Sequence, residues 1–356
     1  MKQMNLFDNN NINEENQFPQ TRYQGSKMKI IDWITSSLEE LDYHSVLDLF
    51  GGTGSFSYAM KKKGKTVFYN DILKFNSIIG KALIENSNIK LTESDLSYIL
   101  TKPINYPKFI QKNFGGIFYY DEENDWLDYV SFNIRNMKCE IKQAIAYFAL
   151  FQSCISKRPY NLFHRANLNV RSNNVKRSFG NKTTWDKSFE SHFTKNVKEA
   201  NESIFDNRNK CFSFCYPALE FPVNRYKPDL VYMDPPYINS KGIGTDYLDF
   251  YSFLEGLVDY DNWGNRINQK YKHKTLVGKG ENPWNKKREI LFEFQKTIEK
   301  YSDSIIVISY RDDGIPSKEQ IIELLKKYKD NVIDTEKDYQ YVLSKSVSKE
   351  MLLIAY

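Results

Sequence analysis

The sequence predicts an α/β chain, an open and mostly parallel sheet interrupted once by a long helical insertion. Three observations carry this. From Val46 to Asp71 a strand, a glycine turn, a helix and a second strand follow in order, a βαβ-type layout with an acid about 20 residues past its glycines. Short apolar runs bounded by turn formers return after Cys211, the pattern of buried strands. Between them, from Asn88 to Glu199, that alternation stops and helical stretches take over.

The elements follow in chain order. The opening "MKQMNLFDNNNINEENQFPQ" is polar and Asn-rich. It reads as a mobile arm, and with no apolar core stretch it does not read as a signal peptide. Ile30, Ile31, Ile34 and Leu38 fall near helical spacing and predict an amphipathic helix from Met28 to Leu41. Val46 to Phe50 is a predicted strand and Gly51-Gly52-Thr53-Gly54 a tight turn. Ser55 to Lys63 is a helix stopped by Gly64, and "KTVFYNDI" is a strand ending at Asp71. The insertion holds helical stretches such as "CEIKQAIAYFALFQSCI", then a basic, Asn-rich, Gly-poor segment. "CFSFCY", "PDLVYMD", "SIIVISY" and "KEMLLIAY" are the later strands. In "GIPSKEQIIELLKKY", Ser317 as N-cap and Gln320 at N3 make a capping box that starts a helix. These boundaries divide the chain into an arm (1–20), a main domain (21–87 with 200–356) and an inserted domain (88–199).

One strand ends in an unusual way. In "VYMDPPY" the prolines have no N–H to donate and fix their own φ, so the strand must stop at Asp234. Asp234 then sits at the carboxyl end of a strand, the edge where open α/β sheets bind ligands. The glycine turn points to the same edge. Glycines let a ligand approach the backbone, and the helix beyond supplies partial positive charge. Asp71 can accept hydrogen bonds from vicinal ribose hydroxyls. Ser57 occupies the third glycine position of a dinucleotide fingerprint, which disfavours NAD. A nucleoside cofactor without a pyrophosphate, such as S-adenosylmethionine, does not need that glycine.

Composition narrows the rest. Hydrophobic residues make up 41% and aromatics 15% of the 356-residue chain, enough for a substantial core and against global disorder. No run of 18 apolar residues exists, which excludes a transmembrane helix. Cys139, Cys154, Cys211 and Cys215 form no Cys-x-x-Cys pair and have no His at zinc spacing. They read as free thiols in a reducing cytoplasm, with no metal site. Net charge is +5 and uneven: Lys157 to Lys187 holds eight Lys and Arg against Asp186 alone, a local +7 that leaves −2 for the remainder. A local basic block implies a polyanion partner for that segment.

Together these stretches resemble the Dam-like DNA adenine-specific amino-methyltransferases. In that family an aromatic-x-Gly-x-Lys motif precedes the glycine turn, followed by the ribose-binding acid, an inserted target-recognition domain and Asp-Pro-Pro-Tyr. The counterparts here are Tyr23 to Lys27, Asp48 to Gly54, Asp71 and Asp234 to Tyr237, in that order. The resemblance spans Thr21 to Tyr356. The basic block is similar to the family's DNA-contacting hairpin, with Arg165 and Asn167 near its start and Phe179 and Gly180 near its end. One departure stands out. The family carries an Asp shortly before Asp-Pro-Pro-Tyr for the cofactor adenine, where this chain has Pro217 or Ala218, with Glu220 nearby.

The resemblance implies a Rossmann-like S-adenosylmethionine-dependent methyltransferase sheet. It also implies an inserted, mostly helical target-recognition domain carrying a β-hairpin. The cofactor falls to Tyr23, Lys27, Asp48, Phe50, Gly51, Gly52, Gly54 and Asp71, and catalysis to Asp234, Pro235, Pro236 and Tyr237. The basic segment offers Arg158, Arg165, Asn167, Arg171, Lys176, Arg177 and Lys182 to DNA. The expected setting is cytoplasmic: a monomer on double-stranded DNA, without membrane or metal, serving as the modification enzyme beside a cognate restriction endonuclease. The chemistry explains the Pro-Pro turn. An aromatic amine is a poor nucleophile because its lone pair is delocalised. Acceptors on both amino hydrogens, the Asp234 carboxylate and the Pro235 carbonyl, localise it, while Tyr237 stacks on a base flipped from the duplex. Methylation of RNA adenine or protein glutamine is the alternative, disfavoured by Asp at 234 and by the basic insertion. An inactive DNA-binding relic is disfavoured by intact motifs.

Overall fold

β1 (Ser45–Asp48) and β2 (Thr66–Asn70) pair in parallel, with Val46 opposite Val67, joined by the helix Ser55–Lys62. The structure, a computed structural model, describes residues 16–173, 182–278, 282–339 and 348–356. β3 (Phe212–Phe214), β4 (Leu230–Met233), β5 (Ile305–Arg311), β6 (Val332–Tyr339) and β7 (Ser348–Ala355) complete one seven-stranded sheet, in the order β3-β2-β1-β4-β5-β7-β6. The first five strands are parallel, and β7 runs antiparallel to both β5 and β6. Every residue of β4 is buried, as a strand covered on both faces requires. β1 and β4 lie side by side although long stretches of chain separate them, so the strand order reverses there. That crevice is where doubly wound sheets bind ligands.

The predicted strands are present, and β6 adds one that sequence periodicity does not show. Four of its eight residues, Asp334, Glu336, Lys337 and Asp338, are charged and exposed. An edge strand takes its place from pairing, here with β7, and charge on it blunts further pairing. The capping box at Ser317 and Gln320 forms as read. The first helix is shorter than predicted: a 3₁₀ turn at Met28–Ile30, then Ile31–Ser36. Ser37 Oγ bonds the Trp33 carbonyl, and the chain beyond tightens into i→i+3 bonds. Serine side chains compete with the helix ladder in this way.

The insertion is helical, with Asp121–Arg135, Glu140–Ser156 and Phe189–Ser203 its longest elements. All thirteen residues from Ala144 to Ser156 are buried. The Phe151 ring meets Phe75 edge-on at 5.7 Å, so insertion and sheet share one apolar core. Two expectations change. Of the arm, residues 1–15 lie outside the described residues, but Phe18 packs edge-on against Tyr58 at 5.1 Å and Pro19 is buried. Instead of a hairpin, the described part of the basic segment holds short helices, Leu168–Ser172 and Lys182–Asp186. Tyr160 and Asn161, both at positive φ near 60°, turn the chain back on itself there. Lys176, Arg177, Phe179 and Gly180 lie outside the described residues.

Candidate active site

A cavity of about 1480 Å³ opens at the carboxyl ends of β1, β2 and β4. It brings together Tyr23, Lys27, Asp48, Phe50, Gly51, Gly52, Asp71, Asp234 and Pro236, from four separate stretches of sequence. Gly54, Pro235 and Tyr237 are not on its wall.

The glycine turn is held from two sides. The Asp71 carboxylate accepts from Gly52 N (2.9 Å), Leu73 N (2.8 Å) and Asn76 Nδ2 (3.1 Å), tying β2 and the next helix to the turn. Burial raises its pKa while these amides oppose the rise. Tyr69 donates to the Gly52 carbonyl at 2.7 Å. A Cβ on Gly51 would lie 2.2 Å from the Tyr69 ring, and Gly52 and Gly54 have φ of 51° and 77°, which L side chains resist. Ser57 finds its reason here. It is fully buried and donates to Asp48 Oδ2 at 2.7 Å. Burial pushes Asp48 up to about 7, with Asp234 and Asp71 adding to the rise against that bond. Tyr23 stacks on Tyr251 at 4.5 Å, and Phe50 meets Trp284 edge-on at 4.9 Å.

Asp234 sits in an ion cluster. Its Oδ1 lies 3.0 Å from Lys27 Nζ and accepts from Tyr237 Oη at 2.7 Å. No hydrogen bond to its Oδ2 forms among the described residues. The side chain keeps 18% of its surface open, so a substrate can reach it. Burial raises its pKa to about 6, with Glu350 adding and Lys27 and Tyr237 opposing. Burial also pulls on Lys27, but Asp234 and Glu350 outweigh it and hold the ammonium charged. The Tyr237 ring packs edge-on against Tyr310 at 5.1 Å. Buried Gln24 Oε1 and Asn76 Oδ1 on the cavity wall have no hydrogen-bond partner among the described residues.

The basic segment divides. Arg158 and Arg171, expected at the DNA surface, are 1% and 3% exposed and face inward. Arg158 donates to the carbonyls of Leu162, Phe118 and Arg165, holding the turned segment together. Arg171 makes a two-pronged bond to Glu123, at 2.8 and 2.6 Å, and Lys157 joins the same carboxylate at 2.8 Å. Three guanidinium or ammonium groups inside a shared core need such partners, and neither arginine can reach a phosphate. Asn167 is half-buried and accepts from Arg158. Arg165, Lys182 and Lys187 are exposed.

Sequence reading missed three contributors. From Arg266 to Arg288 there are eight Lys and Arg against Glu281 alone, a charge count equal to that of the first segment. Lys270, Lys272, Lys287 and Arg288 of this stretch are exposed, and Arg266, His273 and Lys286 line the cavity. Tyr247, which lines the cavity, and Tyr251 both stack on the Tyr23 ring. Glu350 is the third. Its only signal was an acid sharing a strand face with Leu352 and Ile354.

The chain is similar in sequence to known proteins. A family model for D12 class N6 adenine-specific DNA methyltransferase matches residues 23–277. The type II methyltransferase M2.HphI of Haemophilus parahaemolyticus is 29% identical over 341 residues, 94% of this chain and 95% of that protein. The type II methyltransferase M.CviAII of Paramecium bursaria Chlorella virus 1 is 25% identical over 320 residues, 86% of this chain and 88% of its own. The modification methylase StsI of Streptococcus sanguinis is 26% identical over 360 residues, but this chain spans 50% of its length.

Proposed function

The chain belongs to the D12 class of N6 adenine-specific DNA methyltransferases, and from that premise we propose that Asp234 is the acceptor that activates the adenine amino group in the cavity between β1 and β4. The observation that carries this is the Asp234 carboxylate itself, held at Oδ1 by Lys27 and Tyr237 on a wall shared with the glycine turn. A methyltransferase needs a methyl donor, and the residues suit S-adenosylmethionine. Buried acceptors without partners, Gln24 Oε1 and Asn76 Oδ1, together with Asp48 and Asp71, fit a ligand that bears an ammonium, a sulfonium and ribose hydroxyls. Tyr23, Phe50 and the Gly51–Gly52 backbone would hold the same ligand. When bound, it supplies an electrophilic methyl group.

The protein's part is positioning and electrostatics. Asp234 Oδ2 accepts one amino hydrogen; the Pro235 carbonyl, next along the rigid turn though off the cavity wall, is the second acceptor by likeness to the family, and together they draw the nitrogen lone pair out of the ring. Preorganised acceptors of this kind are usually the largest catalytic term. Methyl transfer to that nitrogen, with the donor's S–CH3 bond returning its electron pair to sulfur so that a neutral thioether leaves, would put a surplus proton on the nitrogen, and the Asp234 carboxylate would receive it. Tyr237 lies off the cavity wall and is anchored at its hydroxyl; by likeness to the family it is the stacking partner for a base that has left the duplex. The exposed Arg165, Lys182, Lys270, Lys272, Lys287 and Arg288 are the candidates for phosphate contacts. The relatives are named type II methyltransferases and a modification methylase. By that likeness this chain serves as the modification enzyme of a restriction-modification system, and the same proposal makes it a cytoplasmic monomer beside a separate endonuclease. No helix among the described residues is long and apolar enough to cross a membrane.

The test is to sequence methylated positions in DNA from cells expressing the chain, beside an Asp234→Ala control. N6-methyladenine at one recurring sequence, lost in the control, supports the reading. Near-normal turnover by Asp234→Ala would sink it.

A further inference from the structure

We propose that Glu350 is a positioning residue for methyl transfer, holding Lys27 so that Lys27 and Tyr237 present Asp234 in one geometry. This rests on the reading of Asp234 given above. Glu350 lies on β7 and outside the stretch matched by the family model, residues 23–277. It is fully buried, in a strand whose following residues, Met351 to Ala355, are all apolar and buried.

The contacts run into the active site. Lys27 Nζ stands 2.9 Å from Glu350 Oε1 and 3.0 Å from Asp234 Oδ1, shared between two carboxylates. It also donates to Tyr237 Oη. The Tyr237 hydroxyl lies 2.7 Å from Asp234 Oδ1 and 3.0 Å from Glu350 Oε1, and it has one proton to give. Ser309 Oγ on β5 donates to the same Glu350 oxygen at 2.6 Å. With Ser309 and Lys27 already on Glu350, the Tyr237 proton goes to the nearer acceptor, Asp234.

Stability does not explain this acid. Replacing a buried ion pair by apolar residues of similar volume is often neutral or stabilising, and every later residue of the strand is apolar. What Glu350 does is divide the Lys27 charge. Without it the ammonium belongs to Asp234 alone, grips that carboxylate more tightly and weakens it as an acceptor for the amino group. Lys27 would also lose its second anchor and shift.

The groups facing Asp234 are Lys27 from the segment before the first helix, Glu350 from β7 and Tyr237 from its own loop. Asp48 on β1, Tyr232 on β4 and Tyr247 beyond the loop complete the set among the described residues. Glu350→Gln keeps the shape and removes one negative charge from it. With S-adenosylmethionine and duplex DNA carrying the mapped site, kcat is expected to fall about ten-fold or more, the scale of a misplaced catalytic group. KM for both substrates should stay within about two-fold. The acidic limb of the rate profile should move down by about one pH unit, as loss of a neighbouring like charge demands. Wild-type kcat and an unmoved limb in folded Glu350→Gln would overturn the proposal. Should that variant not fold, Ser309→Ala decides. It removes one donor from Glu350, so the Tyr237 proton is drawn from Asp234 and kcat falls at unchanged KM; wild-type kcat there overturns the proposal. Asp234→Ala, measured in parallel, separates the two claims. If it is inactive while Glu350→Gln is normal, only the inference about Glu350 fails. If it is active, the reading of Asp234 fails and takes this inference with it.

Discussion

Arg171→Ala tests whether the basic segment is partly core or wholly DNA surface. Arg171 is 3% exposed and forms a two-pronged bond to Glu123. Breaking a buried ion pair costs about 3–5 kcal/mol because a charge is left uncompensated. Here the remaining charge is not orphaned, since Lys157 stays 2.8 Å from Glu123. The expected loss is therefore smaller, about 2–3 kcal/mol. Urea unfolding should show it as a lower midpoint at unchanged slope. Duplex affinity of the folded fraction should keep its salt dependence. A phosphate contact, by contrast, would remove about 0.9 from the log–log slope. Arg165→Ala is the counterpart: exposed, near-neutral in stability, and acting on DNA binding alone. An Arg171→Ala protein of normal stability with a flattened salt slope would refute the inward placement and return this arginine to the DNA surface.

Other expectations can be checked separately. Asp71→Ala should weaken S-adenosylmethionine binding by about 1–3 kcal/mol, the range for a charged hydrogen-bonding group; calorimetry showing unchanged affinity removes Asp71 from the pocket. Gly51→Ala should destabilise by about 1–3 kcal/mol through overpacking, because its Cβ would meet the buried Tyr69 ring at 2.2 Å; an unchanged unfolding midpoint contradicts that packing. The reaction needs Asp234 ionised, so kcat/KM should fall as pH drops through about 6, and a flat profile from pH 5 to 8 excludes this role. The sign for stability is opposite. Asp234 is raised from 3.8 to about 6 on folding, so the folded state holds its proton longer and stability contributed there is lost as pH rises through that window. Unfolding midpoints in an Asp234→Asn background should lack this component.

Much of the architecture was legible in the chain because it depends on local chemistry. Prolines end β4 wherever they stand, glycines make the turn after β1, and Ser317 with Gln320 caps its helix without help from elsewhere. The four motif stretches point to one sheet edge because a parallel strand carries its ligand groups at its carboxyl end. β6 was not legible, since an edge strand rich in charge has no periodicity of its own and exists through β7. Nor was the fate of the basic segment. A charge count adds Lys157, Arg158 and Arg171 to Arg165 and Lys182 as equals, but burial separates them, and burial depends on where Glu123 arrives from another helix and the Phe118 ring from the turn before it. Glu350 is the clearest case. The sequence alone determined that Asp234 ends a strand before a rigid turn. Only the tertiary structure decided what holds its carboxylate, because Lys27, Tyr237, Ser309 and Glu350 meet there from segments more than 300 residues apart at the extremes.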